Sequence, residues 1–178
     1  MLSRLIPFRP AATELDWEAL YARELPRVHN FFRYRVGPGP VAEDLASATF
    51  EKAWRSRDRY RRDLAGFSTW LFAIARNVAA DYYRRQREET PLDDALASAP
   101  EAGPEAVAER NADAARLSAL LDGLPERDRE LLAMKYGAEM TNRQIARLTG
   151  LSESNVGTLL HRIVAALRAR WDQPDRKE

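Results

Sequence analysis

The chain has 178 residues, 45% hydrophobic and 31% charged. That leaves room for one sizeable domain or two small ones and is too apolar for wholesale disorder. No apolar stretch approaches the ~20 residues that span a bilayer, and Met1-Leu2-Ser3-Arg4-Leu5-Ile6-Pro7 breaks off too soon for a secretory signal.

With no cysteine there is no disulfide framework, thiol nucleophile or zinc ribbon. His29 and His161 lie far apart, so no metal, no cofactor and a cytoplasmic location are expected. The 28 Lys and Arg nearly balance 27 Asp and Glu, but not locally. Residues 37–87 carry ten basic and six acidic side chains, residues 88–115 one and eight, and residues 116–178 eleven and nine. Two mildly basic blocks thus flank a strongly acidic one, which says more about partners than the total does.

In chain order, Trp17, Leu20, Tyr21, Leu25, Val28, Phe31 and Phe32 recur at helical spacing, and Pro26 is expected to interrupt or kink that helix. Gly37-Pro38-Gly39-Pro40 is a hard stop. A second helix from 41 to about 57 has Leu45, Thr49, Ala53 and Trp54 along one side, with Phe50 nearby. Its first turn holds Glu43 and Asp44, where the helix dipole favours acids. A basic stretch, Asp58-Arg59-Tyr60-Arg61-Arg62-Asp63, leads to Gly66. Ser68 is the expected N-cap of a third helix reaching Arg85 or beyond, with Trp70, Leu71, Ile74, Ala75, Val78 and Tyr82 on its apolar face. Trp54 and Trp70 are both assigned to the core. Residues 13–87 make a first helical unit.

Residues 88–106 are rich in Ala, Asp and Glu, are broken by Pro91, Pro100, Gly103 and Pro104, and offer few large apolar side chains. Such a segment cannot bury enough surface to offset its ordering entropy, and it reads as a flexible acidic linker. A helix beginning near Glu105 leads into a second unit, residues 107–172. There Pro125 suits the first position of a helix with Glu126 and Asp128 in its opening turn, and Gly137 suits its end.

Thr141-Asn142-Arg143-Gln144 fits a capping box, stapled by Met140 and Ile145. Gly150 closes this short helix, and Ser152 caps a longer one with Leu151 and Val156 as its staple. Val156, Leu159, Leu160, Ile163, Val164 and Leu167 form the buried stripe of that helix; Glu153, Ser154, Gly157, Thr158, His161 and Arg162 face the other way. Short helix, Gly turn and longer helix with a polar start is the organisation of a DNA-reading helix-turn-helix. Arg143, Arg147, Arg162, Arg168 and Arg170 are placed to meet phosphates. Taken alone, residues 125–170 also suit a helical hairpin in a bundle or a stand-alone duplex-binding regulator. An all-helical protein-binding scaffold is a further alternative. With no Gly-rich phosphate loop and no metal-spaced His/Asp set, an enzyme is the least expected class.

The residues also carry a family resemblance. Ala42-Glu43-Asp44-Leu45, Thr49-Phe50 and Ala53-Trp54 resemble the second helix of region 2 of the bacterial sigma-70 family. Residues 67–77, Phe67-Ser68-Thr69-Trp70-Leu71-Phe72-Ala73-Ile74-Ala75-Arg76-Asn77, with Asp81-Tyr82 and Arg84-Arg85, resemble its third. Residues 124–130, Leu124-Pro125-Glu126-Arg127-Asp128-Arg129-Glu130, and the helix-turn-helix through Leu160-His161-Arg162 resemble region 4. Two regions joined by a short linker are similar to the extracytoplasmic-function (ECF) sigma factors, which implies an all-α protein of two small helical domains.

The resemblance implies a transcription initiation factor that binds core RNA polymerase and promoter DNA and is no enzyme itself. Region 2 would capture the unpaired −10 strand through Arg59, Tyr60, Arg61, Arg62, Arg76, Asn77 and Arg84, with Asn77 lining a pocket for an extruded base closed by the loop of residues 59–66. Region 4 would read the −35 duplex through Arg143, Glu153, Ser154, Asn155, Thr158, His161 and Arg162. Asp44, Ser47 and Ala48 lie on the face expected to meet the polymerase clamp. Ser47 and Ala48 stand where the family often has Gln and Glu, and Gly157 and Leu159 where many relatives carry Lys and Arg. Within this class the acidic linker is expected to thread the RNA path, and a separate anti-sigma factor is the expected silencer.

Overall fold

The computed structural model describes residues 16–89 and 106–172, and all regular structure among them is helical. The first unit holds α1 (Trp17–Val36), α2 (Pro40–Arg55), a 3₁₀ turn (Arg57–Arg59) and α3 (Phe67–Glu89). The second holds α4 (Ala106–Asp122), α5 (Glu126–Leu132), a π-helical turn (Ala133–Gly137), α6 (Asn142–Thr149) and α7 (Glu153–Trp171). Residues 90–105, most of the acidic segment, lie outside the described residues, and with them any role in the RNA path.

Asp16 starts α1 by accepting from the Ala19 amide at 3.0 Å. The helix then runs unbroken through Pro26, contrary to expectation. Pro26 and Ala22, whose carbonyl loses its helical donor, both face solvent, so water can satisfy that oxygen. Gly37 and Gly39, at φ 82 and 132, reverse the chain into α2, where Pro40 occupies the first turn.

Ser68 does not cap α3, which already begins at Phe67. Its hydroxyl donates instead to Glu24 Oε1 at 2.7 Å. Glu24 is wholly buried on α1 and also accepts from Arg27 Nη1 at 2.6 Å and Arg23 Nε at 3.0 Å, the pairing that a buried carboxylate requires. Trp54 is another correction: it is 51% exposed, beneath the Arg57 guanidinium and edge-on to Trp17. Trp70 is partly buried, and Phe72, absent from the expected apolar face, is in the core.

In the second unit the capping box forms as expected, with the Gln144 amide on Thr141 Oγ1 at 3.2 Å and the Thr141 amide on Gln144 Oε1 at 2.9 Å. Gly150 adopts φ 75, and Ser152 caps α7 through the Asn155 amide at 3.1 Å. Gly137 departs from the expectation. The helix from Glu126 does not stop there on a left-handed glycine; it widens into the π turn, closed by Ala138 N–H to Ala133 O at 2.8 Å and Met140 N–H to Met134 O at 3.0 Å. The left-handed residue is Glu139, at φ 52.

The two units share one apolar core. Val28, Phe31, Phe32, Leu71 and Phe72 of the first are continuous with Leu131, Met134, Met140, Ile145 and Val156 of the second. Helix α1 packs on the π turn as extensively as on α2. At the crossing a Cβ on Gly137 would stand 2.9 Å from Asn30 O and 3.0 Å from Phe31 Cα. Glycine is there for close backbone approach rather than for a turn.

Polar side chains rim this contact. Arg27 donates to Ala138 O from Nη2 at 2.6 Å and Nε at 2.9 Å. Arg35, 3% exposed, meets Glu126 at 3.3 Å and Glu130 at 3.4 Å with its guanidinium over the Tyr83 ring. Arg76 grips Glu130 with Nε at 2.8 Å and bonds the Leu148 carbonyl.

Candidate nucleic-acid and polymerase surfaces

The basic loop between α2 and α3 is braced from within. Tyr60 sits 5.0 Å from the Trp70 ring and 5.7 Å from Phe67, and its hydroxyl donates to Ala65 O at 3.1 Å. It is half-buried, so its first task is to shape the loop. Arg61 folds back on Asp63 through two bonds of 2.9 and 2.7 Å. That hydrogen bonding raises the Arg61 pKa and holds the Asp63 carboxyl below its ordinary range. Arg59 and Arg62 are exposed and make no ion pair among the described residues. Leu64, 73% exposed, stands beside them.

Along α3, Asn77 is exposed. It lies ten residues after Phe67, about 15 Å along the axis at 1.5 Å per residue. Arg84 is exposed too, paired to Asp81 at 3.0 Å. Lys52 of α2 reaches the same Asp81 at 3.2 Å, and that hydrogen bond leads the groups that lower its pKa. Arg76 stands apart from this group because Glu130 and the Leu148 carbonyl already occupy it. Asn77 and Arg84, seven residues apart and both exposed, share one face of α3, and this α3 track is bordered by Arg76 at the contact with the second unit.

The start of α7 presents Glu153, Ser154, Asn155, Thr158, His161 and Arg162, all exposed. Arg143 joins them from α6, 3.4 Å from Glu153. Gly157 faces Asn142 rather than outward: a Cβ there would meet Asn142 Nδ2 at 3.4 Å, and the Asn142 carbonyl accepts from Lys135 at 3.0 Å. On α2, Asp44 and Ser47 are exposed and Ala48 is half-buried, one face of the helix beside the exposed Val41. Exposed arginines beside the Asn77 amide suit the phosphates and an unpaired base of a single strand, and a polar helix start beside arginines suits a major groove.

Sequence reasoning missed the residues of the contact between the two units, Arg27, Arg35, Glu126 and Glu130. Arg35 meets Glu126 across 91 residues, Arg27 meets Ala138 across 111 and Glu130 meets Arg76 across 54, beyond any local pattern.

Comparison with known proteins follows the same division. Residues 20–89 match the family described as Sigma-70 region 2, and residues 114–167 match Sigma-70, region 4. RNA polymerase sigma factor CarQ of Myxococcus xanthus is 35% identical over 165 residues, 90% of this chain and 91% of that protein. ECF RNA polymerase sigma factor RpoE of Cereibacter sphaeroides is 30% identical over 156 residues, 86% and 83% of the two chains. Among solved structures, that of CnrH in complex with the cytosolic domain of CnrY superposes with a TM-score of 0.66 at 26% identity, covering 88% of this chain and 87% of the other.

Proposed function

The chain belongs to the sigma-70 family as an ECF-class RNA polymerase sigma factor acting in transcription initiation, and from that premise we propose how its own residues divide the work. The first unit, taken as residues 13–87, docks on core polymerase with the α2 face around Asp44, Ser47 and Ala48. It captures the unpaired −10 strand along the α3 track. Arg59, Arg62 and Arg84 follow the phosphates, Asn77 holds an extruded base, and Tyr60 keeps the loop in shape. The second unit, residues 107–172, reads the −35 duplex with Glu153, Ser154, Asn155, Thr158 and His161 at base edges and Arg143 and Arg162 on phosphates.

The polymerase performs the nucleotidyl transfer and this chain supplies promoter choice. It works where polymerase and chromosome are, in the cytoplasm; no helix among the described residues is long and apolar enough to cross a membrane. A separate anti-sigma factor is the expected silencer, in keeping with a structural relative held by the cytosolic domain of a second protein.

The observation that carries this reading is the co-occurrence, in order, of two family units whose expected DNA-reading positions, Asn77 and the start of α7, are solvent-facing. The test is co-migration with bacterial core RNA polymerase, followed by transcription from a genomic fragment pool. Discrete new start sites support it; no association with core overturns it. On a promoter so mapped, Asn77→Ala is expected to lower open-complex formation at least tenfold on duplex DNA. Unchanged opening would remove the base-holding role.

A further inference from the structure

The tip of α7 carries an anion on a surface assigned to DNA. Residues 153–161 hold no Lys or Arg. The first cation of the helix, Arg162, comes nine residues after Glu153, about 13 Å farther along the axis at 1.5 Å per residue. Glu153 is the first residue of α7, and Ser152 fixes the backbone there by capping the Asn155 amide at 3.1 Å. Glu153 Oε2 accepts from Arg143 Nε of α6 at 3.4 Å, while Oε1 has no donor among the described residues. With side chains 72% and 54% exposed, such an ion pair adds little to stability. What it supplies is direction: one oxygen is tied to α6 and the other is left open at the helix tip.

An ionised carboxylate only accepts hydrogen bonds. In the major groove guanine offers the acceptors N7 and O6, thymine offers O4, and adenine sets N7 beside its amine. Cytosine alone offers an amine, N4, with no acceptor of its own alongside. We propose that Glu153 selects a cytosine in the −35 element and that Arg143 is the positioning residue that aims its carboxylate. Guanine is rejected at that step, because its acceptors would face a negative charge with no proton between them. Thr158 follows the same pattern: its hydroxyl donates to Ser154 O at 3.1 Å and so presents lone pairs and a methyl group rather than a proton. The proposal rests on the sigma reading for the name of the element, while the selection itself belongs to the helix-turn-helix on any duplex.

Two substitutions separate this role from a plain phosphate contact. Losing a phosphate contact weakens binding by a similar factor on every sequence, whereas losing a positioning residue flattens the preference at one base pair. Glutamine in place of Glu153 keeps the length of the side chain but pairs with adenine N6 and N7 through two bonds. It also removes a negative charge from beside the phosphates, which raises affinity for the sequences that glutamate rejects. Both side chains are exposed, so neither substitution disturbs the core.

The experiment is selection by the full-length chain from a library of random duplexes. It is repeated as transcription by the holoenzyme from a mapped promoter with its −35 positions randomised. Wild type is expected to favour cytosine at one position by at least about fivefold. Glu153→Gln is expected to move the preference at that position to adenine and to leave the other positions unchanged. Arg143→Ala, with Glu153 intact, is expected to cut the cytosine preference at least about threefold at the same position. The absence of a cytosine-selective position in wild type, or one that survives Glu153→Gln, would overturn the proposal. Arg143→Ala that weakens all sequences alike would overturn the positioning role. Cytosine selection by the free chain on duplex DNA, in a protein that never joins core polymerase, would confirm the role of Glu153 and sink the sigma reading instead.

Discussion

Glu139 occupies φ 52 on an exposed stretch between the π turn and α6, with no hydrogen bond or ion pair to its side chain among the described residues. A left-handed backbone costs an L-residue about 1–2 kcal/mol, and nothing visible offsets it here. Glycine removes that strain but loses more entropy on folding, about 0.5–1 kcal/mol. Glu139→Gly is therefore expected to stabilise by about 0.5–1 kcal/mol in urea unfolding; an unchanged midpoint would mean the strain only matches glycine's entropic loss, and a lowered one that the strain is absent. Gly157 is the reverse case. It stands inside α7, where glycine costs roughly 1 kcal/mol against alanine, and the nearest obstacle to a Cβ is the Asn142 amide at 3.4 Å, the end of a side chain that can turn. Gly157→Ala is expected to raise the unfolding midpoint, and a drop would show that the Asn142–Lys135 bond cannot adjust.

The helix-turn-helix is held by local rules, which is why it was legible in advance. Thr141, Gly150 and Ser152 each act within four residues of themselves. Thr141→Ala and Ser152→Ala are each expected to cost about 1 kcal/mol. The double variant should lose their sum to within about 0.5 kcal/mol if the two caps act independently; thermal melts of the three variants decide it. The same local reading failed at Ser68, which looked like a cap because its true partner, Glu24, is 44 residues away. It failed at Trp54, whose helical phase places it beside core residues while no further helix among the described residues covers the outer side of α2. Gly137 looked like a helix end because a sequence does not show which backbone will cross it. The candidate DNA-reading positions come from the family resemblance rather than from any local pattern. Arg76 was found the same way, but its engagement with Glu130 was not, because that contact depends on how two separately recognisable units meet.

At the scale of the molecule, the continuous core through α1, α5 and the π turn couples the units. Taking one partner from a buried ion pair costs about 3–5 kcal/mol. Arg35 at 3% exposed is in that regime, whereas Glu130 at 19% and Arg76 at 27% are partly screened by solvent. A coupling of this kind makes the free chain unfold as one unit. The tryptophans allow a direct check: Trp17, Trp54 and Trp70 belong to the first unit and Trp171 to the second. In a Trp171→Phe background, fluorescence reports the first unit alone, while far-UV circular dichroism reports the helices of both. The two urea curves are expected to coincide, and to separate once Gly137→Ala pushes α1 off the π turn, because each unit then melts at its own midpoint. Curves already separated in the chain with Gly137 intact would show that the shared core adds too little to join the units, whatever geometry they adopt.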